Sequence, residues 1–324
     1  MPTCIWFTSW TPLFWRSPVF FFPLKFDRPL NRVPFLTILV CLICLVIYGL
    51  QYANEQTYVT NTEKFCNVER SNMERMALEK VAGSHDVVAC FNLMHELSMS
   101  DDPTAVLDYY ATEAVKFAGL TQEGSRIYVH RFLSDMYDSY RRAVPPLTTK
   151  ALWYEPRSWN PVNMLSSSFS HGSWDHVIGN LVFFFAFAAA VELIIGPLAF
   201  FGTIIAMAFG TNIFYSLAML KVAEPLPTVG LSGIVMGMMT MLAFFMPTAK
   251  IRCFYWFLIK IGTVAVSAWV LTVFFVGFDI YKLMTQDEMG AVNLVAHVSG
   301  ALIGLAFAAI FFRGERRNLA FETG

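Results

Sequence analysis

The feature that most constrains this chain is a series of apolar runs, each long enough to cross a lipid bilayer as a helix. A hydrocarbon core about 30 Å thick needs about 20 apolar residues in helical form. Such runs lie near residues 34–52, 175–194, 197–219, 230–247, 252–276 and 291–312. The break at Gly196-Pro197 separates the second run from the third. We therefore predict an all-α, polytopic membrane protein with six transmembrane helices.

The composition agrees with lipid as the solvent of this chain. Hydrophobic residues make up 56% and charged residues 15% of its 324 positions, whereas soluble domains usually carry about 25% charged residues. The formal net charge is −1 and the sequence has no long basic stretch, so we expect membrane lipid and no nucleic acid as a partner. Cys41 and Cys44 have C-x-x-C spacing, but they lie inside an apolar run without a second ligand pair. We therefore expect neither a metal nor a cofactor.

The distribution of Lys and Arg predicts how the chain is oriented in the membrane. Positive residues precede the first run, separate the fourth from the fifth, and follow the sixth: Arg16, Lys25, Arg28 and Arg32; Lys250 and Arg252; and Arg313, Arg316 and Arg317. With six spans, these groups all lie on one side, which the positive-inside rule assigns to the cytoplasm. We therefore expect cytoplasmic N- and C-termini. A bacterial inner membrane is the favoured location, because the sequence has no organellar transit pattern.

The polar stretches between the runs define the domain organisation. In chain order we predict an aromatic cytoplasmic or interfacial segment (1–33), the first helix (34–52), an insertion (53–168), a core of five further helices (169–312) and a cytoplasmic tail (313–324). The insertion mixes apolar and charged residues at helical spacing, so we expect it to be mainly helical and, from the orientation above, extracytoplasmic. Its Cys66 and Cys90 can form a disulfide in an oxidising compartment, and free thiols remain equally open.

Four polar residues lie just inside the apolar runs, where such groups are costly. His176 and Asn180 are four residues apart at the start of the second run and share one helix face. Ser232 begins the fourth run within Gly230-Leu231-Ser232-Gly233, and His297 lies near the start of the sixth. Taken singly, each has an ordinary interpretation: an interfacial histidine, a hydrogen bond between helices, or small-residue packing.

The common depth of these residues favours a functional interpretation. With a cytoplasmic N-terminus, the second, fourth and sixth runs all pass from the outside to the inside. At 1.5 Å of rise per residue, each of the polar side chains then lies no more than roughly 10 Å below the outer boundary. The odd-numbered runs carry Asn212 and Lys260, which form no such cluster. Unrelated structural residues would not be expected at one depth on three parallel helices, so we interpret the polar residues as one site.

Glycines beside these residues predict close helix packing. Gly233 and Gly237 form a small-x-x-x-small stripe on the fourth run, and Gly300 and Gly304 form another on the sixth. Such stripes let helix backbones approach closely. A serine hydroxyl must come within about 2.6–3.2 Å of a histidine nitrogen for the histidine to act as its base. The stripes, together with Gly230, permit that approach, and they are equally compatible with plain helix packing.

In this order and on these runs, the motifs resemble the rhomboid family of intramembrane serine proteases. The resemblance covers roughly residues 165–312 and rests on Phe169-Ser170-His171, His176-Val177-Ile178-Gly179-Asn180, Val191-Glu192, Gly230-Leu231-Ser232-Gly233, and Ala296-His297 with Gly300 and Gly304. It implies a six-helix bundle in which Ser232 is the nucleophile and His297 its general base, a dyad without a third carboxylate. It also implies that His176 and Asn180 stabilise the oxyanion, helped by the backbone N–H of Ser232.

The resemblance implies an endopeptidase that cleaves single-span membrane proteins within their transmembrane segments, near the outer membrane face. Val162-Asn163 stands where the family usually has a Trp-Arg pair, and Met236 stands where it often has a Tyr. One alternative is a catalytically inactive rhomboid-like protein that binds transmembrane clients, although inactive members typically lack the serine or the histidine. A transporter fits less well, because its substrate site would lie at mid-membrane rather than to one side.

Overall fold

The computed structural model describes residues 19–26, 32–113, 116–257, 260–285 and 293–316. The helices in these ranges are α1 (Phe35–Cys66), α2 (Asn72–Ala82), α3 (Val87–Met99), α4 (Pro103–Glu113), α5 (Gln122–Ala143), α6 (Thr148–Leu152), α7 (Pro161–Ser167), α8 (Trp174–Ile195), α9 (Pro197–Ala218), α10 (Ser232–Phe245), α11 (Ala268–Thr285) and α12 (Leu294–Phe311). The strands are β1 (Val19–Phe26), β2 (Lys250–Phe257) and β3 (Lys260–Ser267). Most of the segment predicted at 1–33 and most of the tail lie outside the described residues.

Five helices in the described part of the chain are long and apolar enough to cross a membrane, namely α1, α8, α9, α11 and α12. Helix α10 is also apolar but has 14 residues. At 1.5 Å per residue it is about 21 Å long, which is shorter than a hydrocarbon core of about 30 Å. The predicted class, a helical multi-pass membrane protein, is therefore confirmed. The count of six spans stays a prediction.

Several helix boundaries agree closely with the predicted spans. The runs at 175–194, 197–219 and 291–312 correspond to α8, α9 and α12. Gly196, with a φ of +80°, ends α8 directly before Pro197 begins α9. Helix α1 begins at Phe35 as expected, but it continues past residue 52 as far as Cys66. The first helix is therefore longer than its apolar run, and its last turns are polar.

The fifth predicted span, 252–276, is wrong over the described residues before 268. Strands β2 and β3 occupy residues 250–257 and 260–267 and pair antiparallel, with β1 on the other side of β2. Helix α11 begins only at Ala268. Residues 250–267 are rich in β-branched and aromatic side chains, which favour strands. Hydropathy alone does not distinguish an apolar strand from an apolar helix. For this reason the sequence predicted a helix where the chain forms two strands of a small sheet.

The insertion contributes a compact unit that comprises Leu50–Lys150. Helices α2 to α5 surround a core that includes the fully buried Leu78 and Leu133. Cys66 and Cys90 form a disulfide with a Cα–Cα distance of 5.7 Å, which settles the pairing that the sequence left open. The described residues 19–26, 32–49 and those from 151 onward belong to a second unit, which holds all the candidate site residues.

Glu192, near the end of α8, holds the first turn of α1 in this second unit. Its carboxylate accepts hydrogen bonds from the backbone N–H groups of Leu36 (2.9 Å) and Thr37 (2.7 Å), and from the Thr37 hydroxyl (2.7 Å). The start of a helix has unpaired N–H groups and a partial positive charge, so a carboxylate there is stabilising. Further along α1, the ring of Tyr48 lies 4.8 Å from that of Trp174, the first residue of α8. Helices α1 and α8 therefore run antiparallel.

Candidate active site

Helices α10 and α12 meet where their candidate residues lie. A Cβ added to Gly233 would lie 3.0 Å from the carbonyl oxygen of Ala296, and a Cβ on Gly300 would overlap the backbone of Gly233. Only glycine permits backbones to come this close. Ser232 directly precedes Gly233 and His297 directly follows Ala296. The contact therefore places the first turns of the two helices side by side.

The same contact continues one turn further along both helices. A Cβ on Gly237 would lie 3.0 Å from the carbonyl oxygen of Gly300, and a Cβ on Gly304 would overlap the backbone of Gly237. The numbers of the contacting residues increase together on the two helices, so α10 and α12 run parallel. This is the relative direction that the sequence predicts. The structure thus brings the two glycine stripes into one interface.

Hydrogen bonds fix the loop that precedes α10. Thr228 and Tyr154 exchange backbone hydrogen bonds of 3.0 Å. The Thr228 hydroxyl accepts a hydrogen bond of 3.0 Å from the side-chain amide of Asn293, the residue that caps the N-terminus of α12. The N–H of Gly230 donates to the carbonyl oxygen of Ser167 at 2.8 Å. The starts of α10 and α12 are therefore held in a fixed relation by side-chain and backbone bonds.

Gly230 brings this loop against the two candidate residues of α8. Its φ of +125° is a conformation that residues with a Cβ rarely adopt. A Cβ at this position would lie 2.9 Å from the Cε1 and Nε2 atoms of His176 and 3.7 Å from Nδ2 of Asn180. The structure thus brings His176 and Asn180 to the residue that stands two positions before Ser232. The candidates from three separate helices lie around one loop.

Both α8 side chains have hydrogen-bonding capacity that the described part of the chain does not use. Nδ1 of His176 is buried and has no hydrogen-bond partner among the described residues. Asn180 is 8% exposed, and within the described ranges its side-chain amide makes no hydrogen bond. A buried donor without a partner costs about 1–3 kcal/mol. A ligand that accepts a hydrogen bond beside Gly230 would satisfy the Asn180 amide, whose Nδ2 lies on that side.

A small cavity opens beside Ser232. Its polar lining consists of Ser167, Ser168, Thr211, Asn212, Thr228 and Ser232. Its wall is completed by Val229, Gly230, Gly233, Ile234 and Ala296. Ser167 and Ser168 belong to the serine-rich stretch that precedes the second run. Asn212, which the sequence analysis left outside the site, also donates to the carbonyl oxygen of Met164 at 2.8 Å. Polar side chains from the loop before α10 and from α9 therefore line the cavity beside Ser232.

His297 has an acidic partner that sequence reasoning missed. Its Nδ1 lies 2.8 Å from Oδ2 of Asp279, and the two side chains are 16% and 15% exposed. Asp279 lies on α11, but the predicted fifth span ended at residue 276 and left it in a loop. The signal that would have found it is the apolar sequence around it, Phe278 and Ile280-Tyr281. Among the described residues, no hydrogen bond joins the Ser232 hydroxyl to the His297 ring.

A further histidine, His171, lies beside His176. His171, in the loop before α8, is fully buried, and its ring centroid is 5.1 Å from that of His176. Burial, and to a smaller extent the neighbouring His176, lower the pKa of His171 to about 3. The His171 ring is therefore neutral at physiological pH and adds no positive charge beside His176.

Asn163, one of the two residues that replace the family's Trp-Arg pair, has a defined structural role. Its side-chain amide donates to the carbonyl oxygens of Ala151 (2.9 Å) and Trp153 (2.7 Å). It thereby fixes the chain that leads to Tyr154 and the loop before α10. Met236, at the other departing position, is buried. In the part of the chain that the structure describes, no group of three or more His, Cys, Asp or Glu residues is placed to hold a metal ion.

The long apolar helices make this chain an integral, multi-pass membrane protein. Residues 158–314 match the Rhomboid domain, and through that domain the chain belongs to the rhomboid family. The search of curated proteins found no match. The matched range includes Ser232, His297, His176, Asn180 and Asp279. The family is thus established, whereas the catalytic roles of these residues stay predictions.

Proposed function

We propose that this chain is an intramembrane serine endopeptidase that cleaves single-span membrane proteins within their transmembrane segments. The observation that carries the proposal is the convergence of three helices on one loop. His176 and Asn180 lie against Gly230, two residues before Ser232. The glycine interface places the turn that carries His297 beside the turn that carries Ser232. A nucleophile, a base and two donors are the groups that acyl transfer requires.

In the proposed reaction, Ser232 and His297 cleave the peptide bond in two stages. The Ser232 Oγ attacks the scissile carbonyl carbon, and its proton passes to Nε2 of His297. The carbon–nitrogen bond then breaks as that proton moves to the leaving amine, and an acyl ester remains on Ser232. Water attacks this ester and gives a proton to His297, which returns it to the Ser232 oxygen as the carboxylic product leaves. The hydrogen bond between Ser232 and His297 would have to form in the substrate complex, as catalytic hydrogen bonds often do.

The proposed role of His176 and Asn180 is to stabilise the tetrahedral oxyanion. Nε2 of His176 and Nδ2 of Asn180 are the polar atoms that face the loop before Ser232. The N–H groups in the first turn of α10 have no intrahelical partner, and the start of the helix carries a partial positive charge. Preorganised donors of this kind are worth about 3–4 kcal/mol each in the transition state.

We also propose that the site faces the extracytoplasmic side, in a bacterial inner membrane, with both termini in the cytoplasm. The clustering of Lys and Arg supports this orientation. The Cys66–Cys90 disulfide supports it as well, because such bonds persist in oxidising compartments. Substrates would then be cut near their outer ends, and lipid would contact both enzyme and substrate.

A second candidate function is a rhomboid-like protein that binds transmembrane clients without cleaving them. One observation favours it, namely that the described residues contain no hydrogen bond between Ser232 and His297. The presence of both residues, and of the donors around them, favours the protease.

The decisive experiment incubates the purified protein with a generic single-span substrate in detergent or proteoliposomes. We expect wild-type protein to produce two fragments and Ser232→Ala or His297→Ala to produce none, while all three stay folded. A fluorophosphonate that acylates reactive serines should label wild type but not Ser232→Ala. Cleavage that persists in Ser232→Ala, or substrate that is bound but never cut by wild type, would refute the protease and favour the client-binding function.

A further inference from the structure

The close contact between Asp279 and His297 joins two helices across the candidate active site. Asp279 lies on α11 and His297 on α12, 18 positions apart in sequence. Oδ2 of the carboxylate is 2.8 Å from Nδ1 of the ring, which is a hydrogen-bond distance. Both side chains are mostly buried, at 15% and 16% exposed. The contact is therefore shielded from most of the solvent.

Asp279 makes no other hydrogen bond or ion pair within the described residues. It lies on a helix that is long and apolar enough to cross the membrane. An ionisable side chain in such a helix is expensive, and it usually serves a function with a specific partner. The nearest cation along α11, Lys282, lies over the ring of Phe278 at 4.6 Å. Within the described ranges, the His297 ring is therefore the one hydrogen-bond partner of this carboxylate.

The hydrogen bond has a direct chemical consequence for His297. An ionised carboxylate accepts hydrogen bonds and does not donate them, so this contact is satisfied by the tautomer that carries the ring proton on Nδ1. Nε2 then carries a lone pair and can accept the proton of a serine hydroxyl, as a general base must. When the ring takes the serine proton, both nitrogens are protonated, and the negative carboxylate stabilises the imidazolium that results.

We propose that Asp279 is the positioning residue of the active site, which sets the tautomer and orientation of His297 and stabilises its protonated form. The catalytic group of this chain is then a Ser232-His297-Asp279 triad rather than a dyad. The inference rests on the proposed serine protease function. A purely structural role, in which the pair only fastens α11 to α12, predicts different results in the experiment below.

The experiment measures the rate at which a fluorophosphonate probe acylates Ser232 in the purified full-length protein. The variants are Asp279→Asn, Asp279→Glu, His297→Ala and the double variant Asp279→Asn with His297→Ala. Thr272→Val is the matched control, because Thr272 also lies on α11 and makes no hydrogen bond to His297. Its hydroxyl lies 2.9 Å from the carbonyl oxygen of Ala268 and 3.3 Å from that of Met239 on α10. The substitution removes a partly buried hydroxyl from the contact between α11 and α10 and leaves the proposed triad intact.

We expect Asp279→Asn to slow acylation by about 10²- to 10⁴-fold, as loss of the orienting carboxylate does in serine hydrolases. Asp279→Glu should recover part of the rate, and Thr272→Val should label like wild type. In the His297→Ala background, Asp279→Asn should change the residual rate by less than about twofold, because residues that act as a unit are non-additive. An equal fall in both backgrounds would show a structural role and overturn the proposal.

Nitrogen-15 NMR of the six histidine rings gives a readout that does not require activity. The His297 signals, assigned by their loss in His297→Gln, should show a protonated Nδ1 in wild type and a changed proton distribution in Asp279→Asn. Unchanged signals, or wild-type acylation by Asp279→Asn while Ser232→Ala is inactive, would overturn the role of Asp279 alone. Equal labelling of wild type and Ser232→Ala would instead overturn the proposed function on which this inference depends.

Discussion

Gly300 of α12 lies so close to Gly233 of α10 that a methyl group on Gly300 would overlap the Gly233 backbone. This contact, and its repeat one turn later, sets the distance between the two helices that begin with Ser232 and His297. Lipid provides no hydrophobic force between apolar helices, so close backbone packing has to supply much of their association. The geometry of the candidate site therefore depends on residues that have no side chain.

The first prediction concerns these glycines. Gly300→Ala should lower the free energy of unfolding by about 1–3 kcal/mol or more, because the added methyl forces α10 and α12 apart. It should also lower the rate of Ser232 acylation in the protein that remains folded. Gly202→Ala is the matched control, since Gly202 lies in helix α9 and a Cβ there meets nothing within 4 Å. Thermal unfolding in detergent measures both variants, and equal stability of the two would contradict the prediction.

The second prediction concerns the donors on α8. Asn180→Ala and His176→Ala should each lower kcat by about 10²-fold without abolishing cleavage, because a backbone N–H at the start of α10 remains. KM should change little, since the oxyanion exists only in the transition state. Steady-state cleavage of the single-span substrate provides both constants. If the two single variants and the double variant all kept wild-type rates, the oxyanion role would be wrong.

The third prediction separates Gly230 from the packing glycines. Gly230→Ala should reduce acylation of Ser232 strongly, because its φ is positive and the new Cβ would meet the His176 ring at 2.9 Å. Removing the obstructing ring should partly relieve the clash. We therefore expect the double variant Gly230→Ala with His176→Ala to be acylated at most about tenfold more slowly than His176→Ala. That remaining loss is the effect of the strained backbone at residue 230 alone. If the rate losses of the two single variants multiplied in the double variant, the effect of Gly230→Ala would not depend on the His176 ring.

Much of this fold could be predicted from the sequence because hydropathy and helix-breaking residues act locally. The boundary at Gly196-Pro197 needed only the knowledge that Pro begins helices and Gly ends them. The strands at 250–267 could not be predicted in the same way, because their apolar character also suits a membrane helix. Their pairing with β1 depends on contacts across more than 200 positions, which periodicity does not report.

The candidate site shows the same division. Ser232, His297, His176 and Asn180 could be identified because each lies in a short motif at the start of an apolar run. Asp279 could not, because its contact with His297 depends on where α11 begins and ends. The helix lies nine residues later at its C-terminal end than the predicted span, at Thr285 instead of residue 276. That shift moves Asp279 from a loop onto the helix that packs beside α12.

The fourth prediction concerns Glu192, whose carboxylate accepts three hydrogen bonds at the start of α1. Glu192→Ala should destabilise the protein by several kcal/mol, because hydrogen bonds to charged groups contribute about 1.5–3 kcal/mol each and the N–H groups would be left without a partner. Glu192→Gln keeps one acceptor oxygen and should lie between wild type and Glu192→Ala. Thermal unfolding would show this order. Acylation of Ser232 per folded molecule should stay close to wild type, since Glu192 lies at the far end of α8.

The fifth prediction tests the location of the insertion through its disulfide. In a variant whose other cysteines (Cys4, Cys41, Cys44 and Cys253) are replaced by serine or alanine, intact cells should not react with a membrane-impermeant maleimide. After treatment with an impermeant reductant, Cys66 and Cys90 should both react from the outside. Reduction should also lower the stability of this unit by about 3 kcal/mol, because the bond closes a loop of 24 residues. The Cys66→Ser, Cys90→Ser variant in the same background is the control and should stay unlabelled. Labelling that appears only after the cells are permeabilised would place the insertion in the cytoplasm. Helices α8, α10 and α12 would then begin on the cytoplasmic side of the membrane.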